Sequence, residues 1–549
     1  MKIKSLMLGM MASAAFVACT NDVETVENGA IQAGEKGYVA VNIVTPNSIS
    51  GRALTEDDFQ AGTADEVKVK DALFLFLDRN YAGCAKPFHV VNFGEWDGSA
   101  SGLGQDKSKR VLVINGSKDE VPSYIVAILN PTATHLKYDE NTTLNDMKAD
   151  HANFSAITSN LVMSNAVYAA ENGKEVVATP ISLENIAHSA AELENDDYKP
   201  VTIQVERVVA KVAVTSLNDA VAKLNANKDE DGLNDVIDDQ ENLKLKFVLT
   251  GWNVLQNKES NLIKNINALE WSMSESDWND ATLKRSYWAN DYIDALRTQY
   301  TVNSVDSLTN TSFKYVEETV NQDVTANNAM NDVSPYLLVT GKFVDATDET
   351  KAIDLVEWRG QKYTKQGYLN LIAGMPEISK YYTAVTTGEG EDAVTTYTSF
   401  TADLLKLEDN KDNDWGATAV LGKNVDFYTV SFLADGVTVD KTKVVKVETS
   451  EVVDAIEKFG QVQYWNGGNT YYFVPIKHKV VNDKESYHGV VRNHVYQMDI
   501  KNISGYGTPV SNPNQAIDVP EKPTDDNSYM EAEVVILDWK VVKQDVELE

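Results

Sequence analysis

The sequence predicts a mainly β protein built from sandwiches, with a few short helices. Three observations carry this. Short runs rich in Val, Ile, Leu, Tyr and Phe alternate with turn residues over most of the 549 residues. Helical periodicity is confined to a few short stretches. Hydrophobic content is 43%, with 24 Tyr and 9 Trp, which supports packed cores over a disordered chain. The length suits about two to four domains. A net charge of −33 disfavours nucleic acid, whose phosphates need Lys and Arg. It fits a soluble surface outside the cell, where like charge resists clumping.

The elements follow in chain order. Lys2 and Lys4 precede an apolar run at 6–18, "LMLGMMASAAFVA". That run is too short to span a bilayer and has the length of a signal-peptide core. It ends in Phe16-Val17-Ala18-Cys19. Small residues before a Cys resemble the lipobox of bacterial lipoproteins, although Phe16 stands where Leu is usual. On that reading 1–18 is removed and Cys19 carries lipid; the plainer alternative is an ordinary signal peptide cut near Ala18. Only Cys84 then remains, so no internal disulfide forms. The polar stretch 20–36 reads as a tether.

Residues 38–45, "YVAVNIVT", read as one strand without a neighbouring partner in sequence, stopped by Pro46-Asn47. A small, polar loop follows, in which Arg52 stands alone. Strands are expected at 67–78, 110–116 and 124–131, the last apolar enough to be central. On 67–78, Val67, Val69, Leu73, Leu75 and Leu77 share one parity. Residues 144–165 read as mainly helical. Residues 199–216 read as a strand pair or one bent strand.

A short helix is expected after 216, with Leu217, Ala220, Val221 and Leu224 on one face. Further strands are expected at 243–255, 334–344, 426–433, 469–478 and 492–503. A helix at 451–460 closes on Gly460. Long insertions around 256–330 and 345–425 give no clear pattern. Near the end, four of thirteen prolines (Pro509, Pro513, Pro520 and Pro523) fall within fifteen residues, which predicts a stiff spacer with no packed core. Residues 529–549 return to strand character.

On these residues the chain resembles the FimA/Mfa-type fimbrillins, the shaft subunits of type V pili, and is most similar to the major subunit of the short fimbriae. The resemblance rests on the lipoprotein leader, Arg52 in "SGRALT", and the stretches "VERVVAKVAV" (205–214) and "YYFVPIKH" (471–478). It rests most specifically on "GVVRNHVYQMDIKNI" (489–503) and "AEVVILDWKVVKQDVEL" (532–548). It implies two transthyretin-like β-sandwich domains, preceded by a lipoprotein leader and followed by a donor strand. The implied division is a signal peptide at 1–18, a propeptide at 19–52, sandwiches at 53–204 and 205–503, a Pro-rich spacer at 504–528 and a donor segment at 529–549.

The resemblance further implies that an extracellular arginine-specific protease cuts between Arg52 and Ala53. The strand carrying Tyr38, Val39, Val41 and Ile43 then departs. Its groove takes the C-terminal strand of another copy, with Trp539, Val541, Val542, Val546 and Leu548 as inserting residues. Partners implied are further copies, anchor and tip subunits, the protease, and the outer membrane through the precursor's lipid. The implied location is a fimbrium at the cell surface, serving adhesion and colonisation.

The tail itself fits strand insertion. Val542, Gln544, Val546 and Leu548 share one face, while Lys543, Asp545, Glu547 and Glu549 share the other with Val541. Val535, Leu537, Trp539 and Val541 form an apolar row of opposite parity. A switch of face near 539–542 suggests pairing within the chain's own subunit first, then outward.

Residues 227–238 place Asn227, Asp229, Asp231, Asp235 and Asp238 at positions 1, 3, 5, 9 and 12, with Gly232 at 6. This is calcium-loop spacing, and a solvated acidic loop is the alternative. No other cofactor is implied. No zinc-protease spacing among the seven His, no G-x-S-x-G and no P-loop is present, so no enzyme is expected. His488 and His494 read as hydrogen-bonded strand ends, and Trp252, Trp288, Trp415, Trp465 and Trp539 as core. Competing readings are a monomeric lipid-anchored adhesin or glycan-binding protein, and an anchor or tip subunit of the same pilus.

Overall fold

The computed structural model describes residues 36–44, 63–77, 89–93, 110–115, 123–131, 138–149, 151–152, 160–165, 168–169, 175–189, 191–194, 197–227, 233, 236–237, 243–255, 261–262, 300–305, 313–320, 335–410, 415–482, 485–517, 530–538 and 542–543. Strands dominate, as expected. The first domain holds β1 (Lys36–Val44), helix α1 (Ala64–Val67), β2 (Ala72–Leu77), β3 (His89–Phe93), β4 (Arg110–Asn115) and β5 (Tyr124–Leu129). Helix α2 (Leu144–Ala149), β6 (Met163–Asn165) and β7 (Val201–Arg207) complete it. The strand order is β3-β2-β5-β6-β7-β1-β4. The layers meet at β7. Its first half pairs with β1 through 201–204, and its second half pairs with β6 through 205–207.

β2 reads as unbroken apolar sequence because both of its faces are covered. Ala72, Phe74 and Phe76 enter the sandwich core with Val39, Val41, Ile125, Ala127, Ile203 and Val205. Leu73, Leu75 and Leu77 enter a separate core shared with α2 and the second domain. Two expectations fail here. Val69 packs with the Phe74 set, not with Leu73, because residues 68–71 are not strand. Among the described residues of 144–165 helix occupies Leu144–Ala149, and Met163–Asn165 is a central strand tying β5 to β7.

The second domain begins after a single residue, Val208. It holds β8 (Val209–Thr215), α3 (Leu217–Ala226), β9 (Leu245–Leu255), β10 (Phe313–Glu317) and β11 (Tyr336–Asp345). It resumes beyond an inserted module with β12 (Asn469–Pro475), β13 (His494–Ile503), β14 (Met530–Asp538) and β15 (Val542–Lys543). One sheet runs β10-β8-β13-β14-β15 and the other runs β9-β11-β12. Val212 and Val214 of β8 share the core between them with Phe247, Val339, Tyr472, Tyr496 and Met498. Leu217, Ala220 and Leu224 of α3 point into it, as their spacing predicts. At Gly341 of β11 a Cβ would lie 2.1 Å from the Phe247 ring, so the strand stays close to that ring only as glycine.

The stretch expected as a free spacer is partly packed. The Trp465 indole N–H donates to the Tyr506 carbonyl (3.0 Å), Thr508–Pro509 pairs with β12, and Tyr506, Val510 and Ser511 are buried. Prolines mark a chain pinned to the sheet here, so 504–517 belongs to the second domain. Trp252 and Trp465 are core as expected, whereas Trp415 is 42% exposed. Trp288 and Trp539 lie outside the described residues.

The inserted module is the larger surprise. Strands Leu355–Trp358, Gln361–Thr364, Leu405–Asp409, Gly416–Leu421 and Gln461–Trp465 form one sheet. Tyr382–Thr387, Val394–Ser399, Phe427–Thr429 and Val445–Val447 form another. They enclose a core with helices α4 (Lys365–Gly374), α5 (Pro376–Ser379) and α6 (Thr449–Glu457), including Tyr368, Ile372, Ile378, Tyr381, Phe427, Val452 and Ile456. α6 is the helix predicted at 451–460, and Gly460 beyond it takes φ 74°. The expected single domain 205–503 therefore contains separate cores, one between the two sheets of the second domain and one inside the inserted module. No helix among the described residues is long and apolar enough to cross a membrane.

Candidate functional site

The lone N-terminal strand occupies a central place. β1 runs parallel to β7, from Val41↔Val201 to Val44↔Gln204, and antiparallel to β4, from Lys36↔Asn115 to Val41↔Arg110. Val39 and Val41 are fully buried against β2, β5 and β7. Tyr38 stands opposite Val113 and Ile43 opposite Ile203. Among the described strands, β4 joins the sheet through β1 alone. Lifting β1 out would open a groove walled by β7 and β4, with unpaired N–H and C=O groups on both walls. Arg52, Ala53 and Cys19 lie outside the described residues.

The C-terminal tail begins in its own subunit. β14 pairs antiparallel with β13 along its whole length, from His494↔Asp538 to Ile503↔Met530, with one irregularity between Ile500 and Asn502. β15 then folds back on β14 through only Val535↔Lys543 and Ile536↔Val542. Of the expected donor residues, Val542 lies in this short pairing. Trp539, Val541, Val546 and Leu548 lie outside the described residues. Two register pairs hold β15 weakly compared with the nine of β14.

Sequence reading missed the buried polar cluster that joins the two domains beside this groove. A capping box closes α1: Thr63 N–H donates to Glu66 Oε2 (2.7 Å) and Glu66 N–H to Thr63 Oγ1 (3.4 Å). Glu66 Oε1 also accepts from Lys211 Nζ on β8 (2.8 Å) and from the Tyr315 hydroxyl on β10 (2.7 Å). Arg207 Nε, at the end of β7, donates to the Glu66 carbonyl (3.1 Å), and its Nη1 donates to Asn493 Oδ1 (3.3 Å). Next to this cluster the Arg492 guanidinium clasps Glu318 through Nε (3.0 Å) and Nη2 (2.7 Å), both side chains fully buried. The one sequence signal was a charge inside an apolar run: Arg207 and Lys211 in "VERVVAKVAV".

Burial pushes the Glu66 carboxyl up, but the bonds from Lys211, Tyr315 and the Thr63 N–H outweigh it and hold the group below the usual glutamate value. Burial brings Arg207 down to about 10, against the pull of Glu66 and Tyr315. A carboxyl depressed in the folded state stabilises the fold above its unfolded value of about 4.3 and loses that contribution as pH falls through the folded value. Glu66→Gln is therefore expected to lower stability at neutral pH, and its deficit relative to the native chain should shrink steadily below about pH 4. Urea unfolding across a pH series measures this.

Asn227 caps α3, its backbone N–H donating to the Lys223 carbonyl (2.9 Å). Asp229, Asp231, Asp235 and Asp238 lie outside the described residues. No group of three or more His, Cys, Asp or Glu placed to hold a metal occurs among the described residues. His494 starts β13 and its Nδ1 lies 2.7 Å from the Arg492 carbonyl, as a strand-end histidine should. His488 falls within the strand Glu485–Val490.

Comparison with known proteins adds a family match at the C-terminal end. Residues 463–545, which span β12, β13, β14 and β15, match the family model "Major fimbrial subunit protein type IV, Fimbrillin, C-terminal". That match is confined to the C-terminal part of the chain and supports a fimbrillin-type subunit. The matched region is the one that pairs the tail with β13. Solved structures align with this chain only loosely. A proposed cell adhesion protein from Parabacteroides distasonis ATCC 8503 is 10% identical, with 94% of this chain and 99% of that one covered and a TM-score of 0.39. The tip fimbrial protein Mfa3 from Porphyromonas gingivalis, truncated at its C-terminus, is 12% identical, with 92% and 100% covered and a TM-score of 0.28. A fimbrial assembly protein from Parabacteroides distasonis ATCC 8503 is 13% identical, with 66% and 95% covered and a TM-score of 0.26. Likenesses this loose decide nothing beside the family match. No curated protein matches this chain.

Proposed function

We propose that the chain is a shaft subunit of a surface fimbrium that polymerises by strand exchange. It is exported as a lipoprotein precursor lipidated on Cys19. An arginine-specific protease cuts after Arg52, and β1 is then held only by noncovalent contacts. The C-terminal strand of the next copy, carrying Trp539, Val541, Val542, Val546 and Leu548, takes its place. The observation that carries this reading is the position of β1, a central strand joined on both sides to partners distant in sequence. Strand addition supplies a new backbone ladder and buries alternate side chains, which gives both affinity and register. The weakly paired β15 supports a tail whose end is free to leave its own subunit.

The test is digestion of the purified precursor with an arginine-specific protease. Ladders that survive mild denaturant are expected from the native chain and are expected to vanish when 542–549 is deleted. A clipped monomer would favour the adhesin reading, and ladders from the truncated chain would overturn strand exchange.

A further inference from the structure

Among the described residues, an edge of the inserted module's second sheet stands bare. Of the nine large hydrophobic side chains that stand exposed among the described residues, seven lie between 385 and 445, on the inserted module. Val385 (58%), Val394 (56%) and Val445 (59%) belong to one sheet, in which the hairpin Tyr382–Thr387 and Val394–Ser399 is largely solvent-facing. Exposure clustered this way marks an interaction site more often than chance.

The edge itself is the sharper signal. Val394–Ser399, "VTTYTS", is the last strand of its sheet. It has no charge, no proline and no glycine. Proteins usually blunt such edges with charge, and this chain does so elsewhere. Lys446 sits in the opposite edge strand, Lys406, Glu408 and Asp409 in the outer strand of the neighbouring sheet, and Asp348, Glu349 and Lys351 in the strand beside β11.

We infer that Val394–Ser399 is a lateral docking edge for a second copy of this chain. Charge argues for a copy. A chain of net −33 repels itself almost everywhere, so two copies meet at least cost along an uncharged strand. Self-complementarity argues for it as well. Antiparallel pairing about a two-fold axis at Thr396 sets Val394 against Thr398 of the second copy, Thr395 against Tyr397 of the second copy, and Thr396 against itself. Each pair then shares a face, as a ladder requires. The acidic turn residues Glu389, Glu391 and Asp392 fall beyond the paired strands. The contact is separate from strand exchange; its use, holding shafts side by side, rests on the function proposed above.

The test uses the uncleaved chain, in which β1 keeps its groove filled, so association reports on this edge alone. Sedimentation velocity over a concentration series should show a reversible dimer. Thr396→Lys faces two cations across the axis and is expected to weaken the dimer at least about tenfold. Thr398→Lys provides a second edge variant should the first not fold, and circular dichroism checks both. Val437→Lys, in an exposed loop off the edge, should leave the dimer intact. A strictly monomeric native chain, or a dimer broken by Val437→Lys and not by the edge variants, overturns the inference. Failure of the protease ladder with an intact dimer would remove strand exchange and leave the edge contact standing.

Discussion

Replacing Arg492 with Met is expected to destabilise the chain by about 3–5 kcal/mol, because it strands the buried carboxylate of Glu318. The guanidinium reaches that carboxylate through Nε and Nη2, and the Arg492 backbone N–H approaches its other oxygen (3.3 Å). Both residues sit where β10 ends and β13 begins, so the pair clamps the sheet from which the tail strand hangs. Arg492→Lys keeps the charge and loses the fork, so an intermediate cost is expected. The double variant Arg492→Met with Glu318→Leu should recover much of the loss, since an apolar pair avoids desolvating two charges. Guanidinium unfolding of the native chain, the single variants Arg492→Met and Glu318→Leu, and the double variant closes the cycle. A deficit under about 1 kcal/mol for the single variant would mean that water reaches this pair and that the junction is looser than described.

The second large effect concerns β1. A chain beginning at Ala53 should lose the burial of Val39 and Val41, about 3–6 kcal/mol at roughly 1.5–3 kcal/mol per side chain. The ladders to β7 and β4 go with them. β4 then has no strand partner among those described. Two-stage unfolding is expected, with the first domain melting early and binding a hydrophobic dye. A synthetic peptide of residues 538–549 should restore a single transition. If the trimmed chain unfolds in one step at the native midpoint, the groove is not a vacancy of consequence, and strand exchange has no driving force.

Much of the fold was legible because burial on one face imposes alternation. β5, β9 and β13 each fall within a stretch that reads as strand, β11 runs one residue past its own, and α3 and α6 follow a helical period. The break at Val208 was not decidable: the apolar run 199–216 looks the same whether one bent strand or two strands of different sheets is meant. The inserted module was illegible for a physical reason. Its second sheet is largely solvated, so runs such as "YTAVTT" and "VTTYTS" carry threonine where a core strand carries valine, and the alternation fades. The domain junction was hidden because Glu66, Arg207, Lys211, Tyr315 and Asn493 meet only through the fold. As for the proposed strand-exchange site, its two strands were visible as lone segments. What spacing did not reveal was that β1 sits between β4, from the middle of its domain, and β7, from its end.

The single residue between β7 and β8 has a mechanical consequence. Val208 is buried, its N–H held by the Val162 carbonyl (3.1 Å), and the next strand pairs at once with β13, which carries β14. Tension applied to a strand lodged beside β7 would pass through this short joint and reach the tail without crossing any slack loop. Ladders pulled along their length share the load across all their bonds at once and do not unzip one by one. A filament of such units should resist stretching far better than it resists peeling.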